Sequence, residues 1–205
     1  MGRKKELGLD KNGVQKNMRK RDYLADAGGQ MGLNLVANLV GQLTYFYTDK
    51  VGMAVAGIGV IMMISKIVDA ITDIWFGNIV DHSKGGNRKY YQWIARMIIP
   101  FAVVIVMLFT VPIQAGQLPA LIYACVTNIL LSAVCMTLIG TPLNAVMVIR
   151  TNSQSERENM GVFRAVFTYM SGMIIAIATI PITNMLGGNQ NAWIKYGFII
   201  ALVAL

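Results

Sequence analysis

The chain has 205 residues, of which 55% are hydrophobic and only 14% charged, whereas a water-soluble domain carries about 25% charged residues; this composition is that of an integral membrane protein. The formal net charge of +8 would suit a nucleic-acid partner, but eight of the eighteen Lys and Arg precede Asp22. The basicity is therefore a property of a tail and loops, and no nucleic acid is expected as a partner.

Residues 1–22 include Arg3-Lys4-Lys5 and Arg19-Lys20-Arg21 and show no apolar periodicity. They predict a mobile, basic cytoplasmic tail whose natural neighbours are anionic membrane lipids. The first apolar run follows this polar tail without a small-residue cleavage site, so no secretory signal peptide is expected. Residues 23–205 predict a transmembrane bundle with spans at about 23–47, 53–80, 90–111, 118–149, 160–186 and 192–205. From Trp193 the last span gives about 20 Å of helix, short of the ~30 Å hydrocarbon core, and the chain is expected to stop inside it.

The first span is unusually polar. Gln30, Asn34, Asn38 and Gln42 recur every four residues and wind a ribbon of amides around the helix, and amides in hydrocarbon need partners. Two readings stay open: hydrogen bonding between helices, with Gly28, Gly29, Gly32 and Gly41 allowing close approach, or a lining for a hydroxyl-rich solute. Tyr45, Phe46 and Tyr47 read as an interfacial aromatic belt closing this span.

The second span carries the densest chemistry, Lys66-Ile-Val-Asp69-Ala-Ile-Thr72-Asp73. At about 100° per residue, Asp69 and Asp73 lie one turn apart on one face with Lys66 in the same arc. An ionised group at bilayer depth costs at least ~2.5 kcal/mol, so such residues face a bundle interior or watery cavity and mark ion pathways. A purely structural Lys66–Asp69 pair would leave Asp73 unexplained, so one face of this helix is read as a cation site. The basic loop 81–89 follows, and His82, the only histidine, reads as an exposed loop residue with no second ligand.

Tyr90, Tyr91 and Trp93 anchor the third span at its basic end, and Arg96 can snorkel to that interface. The fourth span is long, and Gly140-Thr141-Pro142 predicts a break in it. Cys125 and Cys135 fall in this one helix, about 15 Å apart along its axis, too far to bridge. Residues 150–159 read as a polar loop, and Arg164 sits a turn inside the fifth span. The tail and the loops 81–89 and 150–159 are basic while the alternate loops hold almost only Lys50, which puts the amino terminus in the cytoplasm of a plasma-membrane protein. No nucleophile-and-base pair, His/Cys metal cluster or Gly-rich phosphate loop is present, so no enzyme and no cofactor are expected.

Tyr47-Thr48-Asp49-x-Val51-Gly52, Asp69-Ala70-Ile71-Thr72-Asp73 with Gly77-Asn78-Ile79-Val80-Asp81, the basic loop before Trp93, and Glu156-Arg157 leading to Phe163-Arg164 together resemble the glycoside-pentoside-hexuronide:cation symporters, the melibiose-permease-like branch of the major facilitator superfamily. The resemblance implies an all-α membrane fold: a six-helix amino-terminal bundle of a twelve-span transporter with the sixth helix truncated. It implies cation-coupled symport of a sugar or glycoside by alternating access, with a missing carboxyl-terminal half or a second copy of the chain as partner. The coupling ion, Na⁺ or H⁺, would bind Asp69 and Asp73, with Thr72 and Thr137 beside them and Lys66 as charge partner. The family's sugar site uses an acidic residue on helix one and another before the helix-four proline; here those positions fall near Gly32, Leu33 and Gly140, so neither carboxylate is present. Gln30, Asn34 and Asn38 are the substrate-binding candidates in their place, and Arg164 could meet an anionic solute such as a uronate. The alternatives are a non-transporting membrane bundle or remnant and a transporter of amphipathic lipids.

Overall fold

The structure, a computed structural model, describes residues 7–204; Arg3-Lys4-Lys5 of the predicted tail and Leu205 of the predicted last span lie outside the described residues. Six long helical segments follow a short amino-terminal hairpin. Helix α1 (Lys20–Gly41) runs on through Leu43–Tyr45 into a π-helical turn at Phe46–Lys50. Helices α2 (Val55–His82) and α3 (Arg88–Phe109) are joined by the basic loop. Helix α4 covers Gln117–Arg150, α5 Gln154–Met185 and α6 Gln190–Ala204. Among the described residues, α2 to α5 are long and apolar enough to cross a membrane. Helix α1 carries the amide ribbon, which dilutes its apolar character, and α6 has only 15 residues.

The predicted mobile tail is partly ordered. Strands β1 (Leu7–Leu9) and β2 (Gln15–Lys16) pair antiparallel, and Asp10 Oδ1 accepts from the backbone N–H groups of Asn12 and Val14, 2.8 Å each, to shape the turn. The predicted polar loop 150–159 is largely helix, because Ser153 caps α5 by accepting from Glu156 N. The predicted break in α4 is displaced: the chain stays helical through Pro142, and the irregular stretch is the π-helical segment Leu130–Met136. A π segment shifts the helical phase and realigns the side chains beyond it.

Helix α1 lies chiefly along α5, and α6 packs against α1 and α3, while α4 is wedged between α2 and α3. The tightest approaches need glycine. A Cβ on Gly32 would come within 2.5 Å of the Ala204 carbonyl oxygen, and one on Gly197 within 2.6 Å of the Phe109 ring. Phe46 and Tyr47 are fully buried and do not form the predicted interfacial belt. Phe46 packs on Phe109 and Trp193 at ring-centroid distances of 5.1 and 5.2 Å, so this end of the bundle closes on an aromatic core of α1, α3 and α6. At the turn into α6, Gly187 and Gly188 adopt φ of +116° and +65°, and Gly188 N donates to Thr183 O at 2.9 Å, which ends α5 with its carbonyls satisfied.

Candidate functional site

Two helical faces confront each other across a cavity of about 350 Å³. Lys66, Asp69 and Asp73 come from α2, and Ser132, Thr137, Thr141 and Asn144 come from α4, while α1 contributes only Ala37 and Val40. The spacing 66, 69, 73 keeps the α2 groups on one stripe, and 137, 141, 144 does the same for α4. Asp69 lies 14 residues from the start of α2 and 13 from its end, about 20 Å of helix either way, which is mid-span. Thr137 Oγ1 donates to Asp73 Oδ1 at 2.8 Å. Lys66 Nζ approaches Asp69 Oδ2 at 3.4 Å, with Lys66 77% and Asp69 24% exposed. So exposed a pair holds its geometry weakly. The formal sum over this wall is one positive and two negative charges, and among the described residues Asp73 is partnered only by a neutral hydroxyl.

Of the cation-site candidates, the structure brings Asp69, Asp73, Thr137 and Lys66 to one cavity. Thr72 is not among the lining residues; its hydroxyl donates back to Val68 O and Asp69 O at 2.9 and 3.0 Å. The amide ribbon is not on this wall either. Asn34 Nδ2 donates to Gln30 O and Thr168 Oγ1, and Asn38 Nδ2 to Asn34 O and Ser171 Oγ, which ties α1 to α5. Gln30 Oε1 is buried and has no hydrogen-bond partner among the described residues. Of the two readings of the ribbon, hydrogen bonding between helices is the one these contacts realise.

Arg164 is also placed elsewhere than the sequence suggested. Its Nε and one terminal nitrogen donate to the two carboxylate oxygens of Asp26 at 2.6 and 2.9 Å. The same terminal nitrogen reaches Leu143 O at 2.9 Å and the other donates to Asn144 Oδ1 at 3.2 Å. Both charges are buried, with side chains 10% and 2% exposed. A guanidinium so occupied has no fork left for an anionic solute. Asp26, Ser132, Thr141 and Asn144 were not found from the sequence. Asp26 was legible as a carboxylate inside the first span, where the rule for intramembrane charges applies as it does to Asp69. The three α4 residues carry no comparable signal, since Ser, Thr and Asn are common at helix contacts.

Away from the cavity, His82 is exposed, but it is the last residue of α2 and not part of the loop predicted for it, with Nδ1 2.9 Å from Asn78 O one turn back, and Cys125 and Cys135 are unbridged. Among the described residues no group of three or more His, Cys, Asp or Glu gathers to hold a metal ion.

Residues 27–205 match the profile of the MFS/sugar transport protein family. The chain is 28% identical over 204 residues to the isoprimeverose transporter of Lactiplantibacillus pentosus, covering 96% of this chain and 41% of that protein. It is 26% identical over 153 residues to the inner membrane symporter YicJ of Escherichia coli strain K12, covering 75% of this chain and 33% of that one. Similarity to the glucuronide carrier protein homolog of the same organism is 22% over 139 residues, covering 68% and 30%. The chain thus spans about two-fifths or less of the length of these relatives.

Proposed function

We infer from one premise, that this chain belongs to the MFS/sugar transport protein family and within it to the glycoside-pentoside-hexuronide:cation symporters, that it forms one wall of a transporter carrying a sugar or glycoside together with a monovalent cation. The observation that carries this reading is the pairing of Asp73 on α2 with Thr137 on α4, beside Asp69 and Lys66, in a mid-span cavity. Hard oxygen donors suit Na⁺, and a carboxylate pair can alternatively carry a proton. The wall's single net negative charge is what one monovalent ion would neutralise. A cation at Asp69 and Asp73 then favours the conformation that binds solute, and the solute raises ion affinity by the same factor. The facing wall comes from further chain or from a second copy, and the two walls rock about the site. The amino terminus lies in the cytoplasm, as the basic tail and alternate basic loops favour.

The test uses the complete gene product in proteoliposomes with an imposed Na⁺ or H⁺ gradient. Isoprimeverose is the first solute to try, because a relative bears its name. Gradient-driven uptake in the wild type and its loss in Asp73→Asn are expected; uptake unchanged by that substitution defeats the cation assignment.

A further inference from the structure

The cavity holds one oxygen donor fewer than the sequence suggests, because Thr72 turns its hydroxyl back onto the carbonyls of Val68 and Asp69 and does not line it. Ser132, which no feature of the sequence singles out, does line it, and the reason lies in the backbone of α4. In an α-helix a step of five residues turns about 500°, which leaves the second side chain ~140° from the first. Ser132 and Thr137 would not then share one wall. They share it because the step between them runs through the π-helical segment Leu130–Met136, where residues five apart stack on successive turns. The 3.4 Å approach of Thr137 Oγ1 to Ser132 O records that stacking. The two hydroxyls are also prepared to meet a cation. Ser132 Oγ has committed its single hydrogen to Asn128 O at 3.0 Å, so its oxygen presents lone pairs with no hydrogen to be displaced first. Thr137 gives its hydrogen to Asp73, and Ser132 O is a second acceptor for the same hydrogen once an ion takes the carboxylate.

We propose that the Ser132 hydroxyl is an oxygen ligand of the coupling ion, brought to the cavity by the π-helical turn of α4 in the place the sequence gives to Thr72, and that the ion is Na⁺. The proposal rests on the transporter reading and narrows it to one ion. Asp69, Asp73, Thr137 and Ser132 line one cavity, and the donors of all four are oxygen, the set that suits a hard cation. A proton bonds to a single carboxylate oxygen, whereas Na⁺ is held by several oxygens at once, so Na⁺ alone draws on the whole set.

The experiment measures Na⁺ binding to the purified complete gene product by calorimetry, without solute and at constant ionic strength, and records the thermal midpoint with and without Na⁺. Ser132→Ala removes one oxygen and is expected to weaken Na⁺ affinity about tenfold or more, since the loss even of a partner behind the ligands costs a metal site that much. Its midpoint without Na⁺ should stay close to the wild-type value, while the rise that bound Na⁺ gives the wild type should shrink. A merely structural serine would do the opposite, lowering the Na⁺-free midpoint and leaving the affinity alone. Thr72→Val keeps the side-chain shape without the hydroxyl, and its Na⁺ affinity is expected to stay within about twofold of the wild type. Unchanged Na⁺ affinity in Ser132→Ala, or the tenfold loss appearing in Thr72→Val instead, overturns the proposal. A wild type that binds no Na⁺ yet accumulates solute on a proton gradient also overturns it, and leaves the coupled-transport reading standing. Undiminished Na⁺ affinity in Asp73→Asn defeats the earlier cation assignment instead, and the Ser132→Ala ratio still decides the role of Ser132.

Discussion

Two carboxylates in the span region have opposite surroundings, Asp26 buried and Asp73 exposed to the cavity, and their substitutions should separate accordingly. Asp26 is gripped at both oxygens by Arg164, and breaking a buried pair by removing one partner leaves an uncompensated charge, a cost of about 3–5 kcal/mol. Asp26→Asn is therefore expected to lower the thermal midpoint of the purified protein by several degrees, as measured by differential scanning fluorimetry. Among the described residues Asp73 is bonded by the Thr137 hydroxyl alone, so Thr137→Val should lower the midpoint by less than Asp26→Asn does. A hydrogen bond to a charged group is worth about 1.5–3 kcal/mol. On the cation-site reading, Thr137→Val then weakens Na⁺ activation about tenfold, which a titration of uptake against Na⁺ would register. Lys66 is too exposed for its pairing with Asp69 to matter to stability, and Lys66→Met is expected to change the midpoint by less than Asp26→Asn does.

Among the elements, the amino-terminal hairpin forms a clasp over the turn between α4 and α5. Glu156, buried, accepts from Asn17 N at 3.0 Å, from Met18 N at 2.8 Å and from the Thr151 hydroxyl, while Met18 packs against Tyr23 and Met160. Ser153 Oγ donates to Asp10 Oδ2 at 2.6 Å. That bond, with the turn N–H groups of Val14 and Asn12, holds the Asp10 carboxyl below its ordinary value. A carboxyl depressed by folding contributes stability above its unfolded value, about 3.9, and loses that contribution as the pH falls through the lower folded value. Hydrogen exchange at Asn12 and Val14 should accordingly be slow at pH 6 after correction for intrinsic rates, and protection should fall below about pH 4. Ser153→Ala should shift the loss of protection to higher pH. The helix contacts set a second expectation: Gly197→Leu drives a side chain into the Phe109 ring, and overpacking of this kind costs about 1–3 kcal/mol, visible as a lowered midpoint.

For the molecule as a whole, charge asymmetry is the quantity that decides orientation. In a variant lacking Cys125 and Cys135, a cysteine at Asn87 in the basic loop should react with a membrane-impermeant maleimide only in inverted vesicles. One at Gln114, exposed in the uncharged turn before α4, should react only in intact cells. The reverse pattern would invert the proposed topology.

Membership of a membrane class, the positions of most long helices and the charged face of α2 were legible in the residues themselves, because each depends on local quantities: hydropathy over some twenty residues, or a helical repeat of three to four. The start of α5 was legible too, in Ser153-Gln154-Ser155-Glu156 as an N-terminal capping pattern, although the polarity of that stretch reads first as loop. Only the tertiary structure decided which way the polar groups turn. The amides of α1 could face a cavity or α5 with equal local preference, and the outcome was set by Thr168 and Ser171, more than 130 residues away. Arg164 could meet a solute or a carboxylate, and Asp26, 138 residues distant, took both its donors. A helix's period fixes which side chains share a face, whereas the partner of that face is chosen by packing between segments remote in the chain.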